Sequence, residues 1–399
     1  MTTARKPLEG LKVIELGQLI AGPFAGKCFA EFGAEVIKIE PPGVGDPLRK
    51  WRNLHNGTSL WWFVQNRAKK SVTVDLRVPE GQEIVRKLAR DADLIIENFR
   101  PGTMEKWGLG YEDLSKTNPG LVMLRLSGFG QTGPMRDQAG FGSVGESMGG
   151  LRYVTGFPER APVRPNLSIG DALASLHGVI GAMMALHHRD KNGGRGQVVD
   201  VALYEAVFNM MEGSLPEFDM YGVVRERTGT NLTGIVPSNT YLARDGLHVV
   251  IGGNGDSIFK RLMNLIGRTD LADDPQLADN AGRAGRADEL DAAIGEWTAK
   301  HDADTVVRLL NEAQVPNGKI YSIADIAKDP QYLAREMIRS VTLGDGTPLK
   351  VPGVVPKLSD TPGDVGWVGP QLGEHTQSVL ERLGYSSSDV ASLRERKIV

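Results

Sequence analysis

A few short stretches of this chain combine residue types and spacing that could do chemistry. Asp171 stands directly before a run to His188 in which Ala172, Ala174, Gly178 and Ala182 are small enough for close helix packing. A carboxylate at the head of a helix is first of all a cap for unpartnered amides. The same amides and the helix dipole keep that carboxylate ionised, so the position also suits a nucleophile. Gly145-Glu146-Ser147-Met148-Gly149 matches the Gly-x-Ser-x-Gly elbow of serine hydrolases, which needs a strand leading in and a helix leading out. The approach from Ala139 to Val144 is a poor central strand, although His248 and His375 follow and leave a triad open by chain order. Gly128-Phe129-Gly130-Gln131-Thr132-Gly133 and the run from Gly140 to Gly145 both match Gly-x-Gly-x-x-Gly. A dinucleotide site needs a strand before, a helix after and an acid about 20 residues on. The first match runs into Pro134 and the second lacks a preceding strand, so both read as loops. Asn98-Phe99-Arg100 closes an apolar segment just before a helix start at Pro101, where amides and a cation attract anions.

Histidines 55, 177, 187, 188, 248, 301 and 375 show no metal-ligand spacing, and with Cys28 the only cysteine no metal site is predicted. His177 follows Asp171 by six residues, about 600° around a helix, and so faces away from it. It reads as a packed histidine rather than a base.

Two longer runs lie far apart in the chain. One leads from Ala21-Gly22-Pro23 through Gly33-Ala34-Glu35-Val36-Ile37-Lys38-Ile39-Glu40 to Gly45-Asp46-Pro47-Leu48-Arg49; the other leads from Gly170-Asp171-Ala172 to Gly194-Arg195-Gly196-Gln197-Val198-Val199-Asp200. In this order, and over about Leu11 to Gly373, they resemble the class III coenzyme A transferases, the family of formyl-CoA, carnitine and bile-acid CoA-transferases. The resemblance implies an acyl-CoA and a free carboxylic acid as substrates, no permanently bound cofactor, and an interlocked homodimer whose chains thread through each other. It implies Asp171 as covalent nucleophile. Contact with CoA falls to the Asn98-Phe99-Arg100 turn, Arg77 and Lys106, with Ala21 and Val74 near the nucleotide. Gln18, Ile20, Phe141 and Gly142 are placed around the acyl group.

The match departs from formyl-CoA transferase in two places. Ile20 stands where that enzyme has a glutamine before Ala-Gly-Pro, with Gln18 two residues earlier. Its glycine-rich lid is replaced by Thr230-Asn231-Leu232-Thr233-Gly234-Ile235-Val236-Pro237. Polar Thr230, Asn231 and Thr233 point to a longer or hydroxylated acid, such as a dicarboxylate. Arg164 could pair with that acid or form a structural salt bridge. The 2-methylacyl-CoA racemases of the same fold family use an Asp and a His, and Phe141 occupies the histidine position. A racemase, a serine hydrolase using Ser147 and a non-catalytic acyl-CoA binder are the alternatives.

The elements that must position these residues alternate. Apolar strands are expected at Leu11–Leu16, Ala34–Glu40, Ser71–Leu76, Asp93–Glu97, Leu121–Leu126 and Gln197–Ala202, with helices at Phe24–Phe32, Pro79–Ala89 and Asp171–His188 between them. Such alternation predicts an α/β fold with a doubly wound, Rossmann-like parallel sheet. Residues 128–166 are glycine- and proline-rich and aperiodic. From Val224 the texture changes to a hairpin around Arg244-Asp245-Gly246 and amphipathic helices at Asp256–Leu265, Arg286–Lys300 and Ala303–Glu312. We expect a CoA-binding domain at 1–224 completed by 326–399, and a smaller α/β domain at 225–325. The net charge of −3 favours neither nucleic acid nor an anionic membrane. The N-terminus lacks a signal-type apolar core and the longest apolar run, Gly178–Leu186, is short of the roughly 20 residues that span a bilayer. With one cysteine, a cytoplasmic protein is expected.

Overall fold

The computed structural model describes residues 6–399, so the opening five residues of the N-terminal segment lie outside the described residues. The first contact unit comprises residues 1–151, 165–213 and 333–399. The elements that build its central sheet and cover it include, in chain order, β1 (Lys12–Glu15), α1 (Ala21–Glu31), β2 (Glu35–Glu40), β3 (Lys69–Thr73), α2 (Pro79–Ala89), β4 (Leu94–Glu97), β5 (Val122–Ser127), α3 (Gly142–Met148), α4 (Ile169–Lys191), β6 (Val198–Ala202) and α5 (Leu203–Phe208). The six strands form one parallel sheet in the order β3-β2-β1-β4-β5-β6. Register is set by matched apolar residues, with Val13 opposite Val36 and Ile14 opposite Ile95.

Successive strand residues face opposite sides. Ile14, Ile37, Ile95 and Met123 pack on one face with Ile84 and Val85 of α2, joined by Val379 and Leu393 of the C-terminal helices Thr376–Arg382 and Ser387–Glu395. Val13, Val36, Ile96 and Leu124 pack on the other with Phe29 of α1 and Ala174 and Ala182 of α4. Burial on both faces explains the near-continuous apolar strands.

Helix α4 starts at Ile169, two residues earlier than expected, and runs for 23 residues. By length and composition it is apolar enough to cross a membrane, which the shorter Gly178–Leu186 run did not indicate. Here Gly170, Ala174, Gly178, Ala182, Ala185 and Leu186 are buried within the first unit. The aperiodic stretch 128–166 contains α3, which its glycines had hidden. Gly145 and Gly149 sit so close to Leu203 and Val207 of α5 that packing overrides their poor helix propensity.

The second unit comprises residues 152–164 and 214–332. It holds an antiparallel sheet of β7 (Ser238–Leu242), β8 (His248–Gly252) and β9 (Asn317–Lys319), with β8 central. Helices Asp256–Leu265, Ala287–Thr298 and Ala303–Glu312 cover it. Residues 152–164 join this unit through pairs distant in sequence. Tyr153 Oη donates to Glu226 at 2.5 Å, and Arg227 donates to the Tyr153 carbonyl at 2.9 Å.

Candidate active site

The winding of the sheet reverses between β1 and β4. In open parallel sheets ligands bind beyond the carboxyl ends of strands at such a reversal. The segment that leaves β1 there, Gly17 to Pro23, is held by its backbone at almost every residue. Asn98, just past β4, accepts from the Gln18 amide at 2.8 Å and donates to the Gln18 carbonyl at 2.9 Å. Asp46 accepts from Leu19, whose φ of 62° is left-handed. Gln65 donates to the Ile20 carbonyl at 3.1 Å, and Lys69 to that of Pro23 at 2.7 Å. Lys38 donates to the Gly17 carbonyl at 2.7 Å. A Cβ on Gly17 would lie 2.8 Å from the Gly22 Cα, so glycine is needed for this tight crossing.

Beneath the segment lies a cluster of charges. Glu15, Lys38, Asp46 and Lys69 are each at most 1% exposed. Lys38 pairs with Glu15 at 3.0 Å and Asp46 at 2.8 Å, and Lys69 with Glu15 at 2.7 Å. Burial alone would lower the Lys38 pKa, but Asp46, Glu15 and Glu40 outweigh it and hold it above the ordinary lysine value. For Asp46, burial opposes ionisation and Lys38 with the Leu48 and Leu19 amides overcomes it, so its pKa is lowered. Sequence reasoning took Lys38 and Asp46 only as parts of a pattern and missed their role, along with Glu15, Gln65 and Lys69. The available signal was a charge in the middle of an apolar strand, which must be paired if it is buried.

Asp171 occupies the third position of α4, inside the first turn, which corrects its expected place as the cap. Ser168 is the N-cap, and its hydroxyl accepts no helix amide. Asp171 is half-buried. Ser175 Oγ lies 2.7 Å from the carbonyl oxygens of both Asp171 and Ala21, tying the head of α4 to the head of α1. Gly142, the first residue of α3, approaches Asp171 so closely that a Cβ there would collide with the carboxylate. Ser175 thus sets the head of α4, which carries Asp171, beside the head of α1, into which the segment leads.

The remaining expected site residues divide. Ile20, Ala21 and Val74 are buried, and Gln18 is half-buried. Phe99 packs edge-on to Trp107 at 5.1 Å, and its amide donates to Glu97 at 2.7 Å. Burial pushes the Glu97 carboxyl up to about 7, against the opposing pull of Arg125. Arg100 and Lys106 are exposed, and neither has a carboxylate partner among the described residues. Arg77 is also exposed but grips Asp75 through two 2.8 Å bonds in the turn before α2.

Several alternatives find no geometry. Ser147 lies inside α3 and donates to the Ser143 carbonyl at 2.9 Å, with no strand leading in. Gly128 and Gly140 pack against each other's backbone, so neither is open toward a ligand. Phe141 is 61% exposed. His177 lies within 2.9 Å of the Leu173 carbonyl and 3.3 Å of Asn209, away from Asp171. Thr230 donates to Asn239 at 2.6 Å, within the second unit. Arg164 is exposed. Among the described residues no three His, Cys, Asp or Glu side chains are grouped to hold a metal.

Comparison with known proteins bears on what this site does. The family model for CoA-transferase family III matches residues 8–376. The chain is 49% identical over 396 residues to a succinyl-CoA–D-citramalate CoA-transferase of Chloroflexus aurantiacus, covering 99% of this chain and 98% of that protein. It is 42% identical over 397 residues to a succinyl-CoA–L-malate CoA-transferase alpha subunit from Chloroflexus aurantiacus, covering 98% and 92%. A crystal structure of a CAIB/BAIF family protein from Brucella suis superposes with a TM-score of 0.82 at 34% identity, covering 95% of this chain and all of that one. The parallel sheet, the order of motifs and these likenesses converge: the chain is an enzyme of the class III CoA-transferase family.

Proposed function

We propose that this enzyme moves CoA from succinyl-CoA or a similar acyl-CoA to a dicarboxylic acid, with Asp171 as the nucleophile. An Asp171 oxygen attacks the thioester carbonyl, the C–S bond breaks, and CoA leaves as thiolate. The thiolate then attacks the aspartyl carbonyl of the mixed anhydride, breaking its C–O bond, releasing the donor acid and forming aspartyl-CoA. The acceptor carboxylate attacks that thioester and expels CoA, and the thiolate takes the new acyl group while Asp171 regains its carboxylate. Each exchange joins groups of similar energy, which is the advantage of covalent catalysis here. The observation that carries the reading is a carboxylate in the first turn of a long helix, faced by a residue with no side chain, in a chain of this family.

Arg100 and Lys106, cationic and without acid partners, are suited to the phosphates of CoA; Arg77 would have to release Asp75 to join them. CoA enters as substrate. The relatives named for citramalate and malate support a four- or five-carbon diacid as acceptor. We also propose an interlocked homodimer in the cytoplasm. Leu176, Ile180 and Met184, at helical spacing on α4, are 45%, 53% and 66% exposed and form an apolar stripe that a second copy would cover.

Incubation of succinyl-CoA with citramalate, malate or glutarate tests the reaction. New acyl-CoA should form with one succinate released per transfer. Release of free CoA alone would favour hydrolysis, and solvent deuterium at the α-carbon without acid exchange would favour a racemase.

A further inference from the structure

Beside the head of α4 lies an open cleft of about 390 Å³ lined by Arg52, Asn53, Leu60, Trp61, Leu167 and Ser168. Ser168 precedes Asp171 by three residues, about 4.5 Å along the helix axis. Leu60 and Leu167 are 36% and 64% exposed, so the cleft has apolar walls open to a ligand. Its one charged lining residue is Arg52, whose guanidinium lies 4.9 Å from the Trp61 ring centroid. No carboxylate among the described residues pairs with Arg52. Three residues earlier, Arg49 shows the contrast: it is buried and bound to Glu40 by two 2.8 Å bonds. The backbone of Arg52 is left-handed, with φ 56°, a conformation that a non-glycine residue keeps only where its surroundings enforce it. Ser168 adds a hydroxyl that does not cap its helix.

We infer that this cleft receives the distal carboxylate of a dicarboxylate substrate and that Arg52 is its charge partner. The inference rests on the reading that Asp171 is the point of acyl transfer. An arginine stacked on an aromatic face keeps its fork of donors available for a carboxylate. Leu60 and Leu167 cover the intervening methylenes, while Asn53 and Ser168 offer hydrogen bonds to a hydroxyl on the chain. An extended four- or five-carbon diacid reaches a distance of the order of one helix turn, about 5.4 Å. A monocarboxylate of equal length would fill the apolar part and leave Arg52 unpaired.

The test compares radiolabelled succinate with radiolabelled butyrate as CoA acceptors from unlabelled succinyl-CoA, because the two acids differ only in the distal carboxylate. In a double-displacement reaction kcat/KM for the acceptor reports only its own half-reaction. Wild type should prefer succinate. Arg52→Met should lower kcat/KM for succinate roughly 10- to 100-fold, the worth of one charge-assisted bond, and leave that for butyrate unchanged. Arg52→Lys, which keeps the charge, should recover part of the loss and serves alone if the methionine variant does not fold. Equal losses on both acids, or no loss on succinate, would overturn the assignment of Arg52 while leaving the transferase reading standing. A wild-type enzyme that passes CoA to neither acid would overturn both.

Discussion

Two regions of this molecule use the same ionic chemistry to different ends. Beneath Gly17–Pro23, Glu15, Lys38, Asp46 and Lys69 are buried and pair within 3.0 Å, and Lys38, Lys69 and Asp46 also bond the backbone of the segment at Gly17, Pro23 and Leu19. In the second unit, Arg268 pairs with Asp270 and Arg286 with Glu289, each at 2.7 Å and on the surface. Surface pairs of this kind are worth about 0–1 kcal/mol. A buried pair gains little over an apolar substitute, yet removing one partner costs about 3–5 kcal/mol because the other charge is stranded. The difference teaches that distance alone does not rank these contacts. The buried cluster sets one conformation for the turn at the sheet reversal, including the left-handed Leu19. The surface pairs set almost nothing.

Truncating the cluster breaks the comparison most sharply. Lys38→Met leaves Glu15 and Asp46 without their shared cation, and denaturant unfolding should show a loss of about 3–5 kcal/mol. A loss below about 1 kcal/mol would place this pair with the surface ones. Gly26→Ala should come next. Its Cβ would collide with Oε2 of Glu15 inside helix α1, and overpacking of this kind costs typically about 1–3 kcal/mol. Wild-type stability in the alanine variant would show that the Glu15 carboxylate is free to move.

Glu97 sharpens the comparison through pH. Its folded pKa of about 7 exceeds the ordinary 4.5. Between these values the native protein holds a proton that the unfolded chain has released, so stability falls as pH rises. The contribution is complete below about 4.5 and lost as pH passes 7. Thermal unfolding of wild type and Glu97→Gln across this range should converge or cross, whereas parallel curves would show that Arg125 already keeps Glu97 ionised. The smallest effect is expected for Arg268→Ala, within about 1 kcal/mol.

The helices Pro79–Ala89, Asp256–Leu265 and Ala303–Glu312 were legible to the residue, because Pro79 at a first turn and apolar spacing mark them without help from the rest of the fold. Helix α3 was not legible, since its glycines take up helix only against α5. Ser387–Glu395 carried a readable signal that went unused, the Ser386–Asp389 capping box. Asp171 was found as a residue but placed at the cap, three positions short of its place in the first turn, because Ser168-x-x-Asp171 has a capping-box spacing that a start at Asp171 ignores. The lysines under the turn could not be assigned from the chain alone, as Glu15 and the Gly17 and Pro23 carbonyls that they reach lie more than 20 residues away. Arg52 was overlooked for a similar reason: Leu167 and Ser168 reach its cleft only through the fold.

Covalent capture tests the central claim most directly. The enzyme would be incubated with succinyl-CoA, quenched with hydroxylamine, digested and analysed by mass spectrometry. The account predicts a hydroxamate on the peptide carrying Asp171, absent without the thioester and absent from Asp171→Ala, which should also lose turnover by roughly 10³-fold or more. Labelling at another residue, or turnover retained in Asp171→Ala, would contradict it.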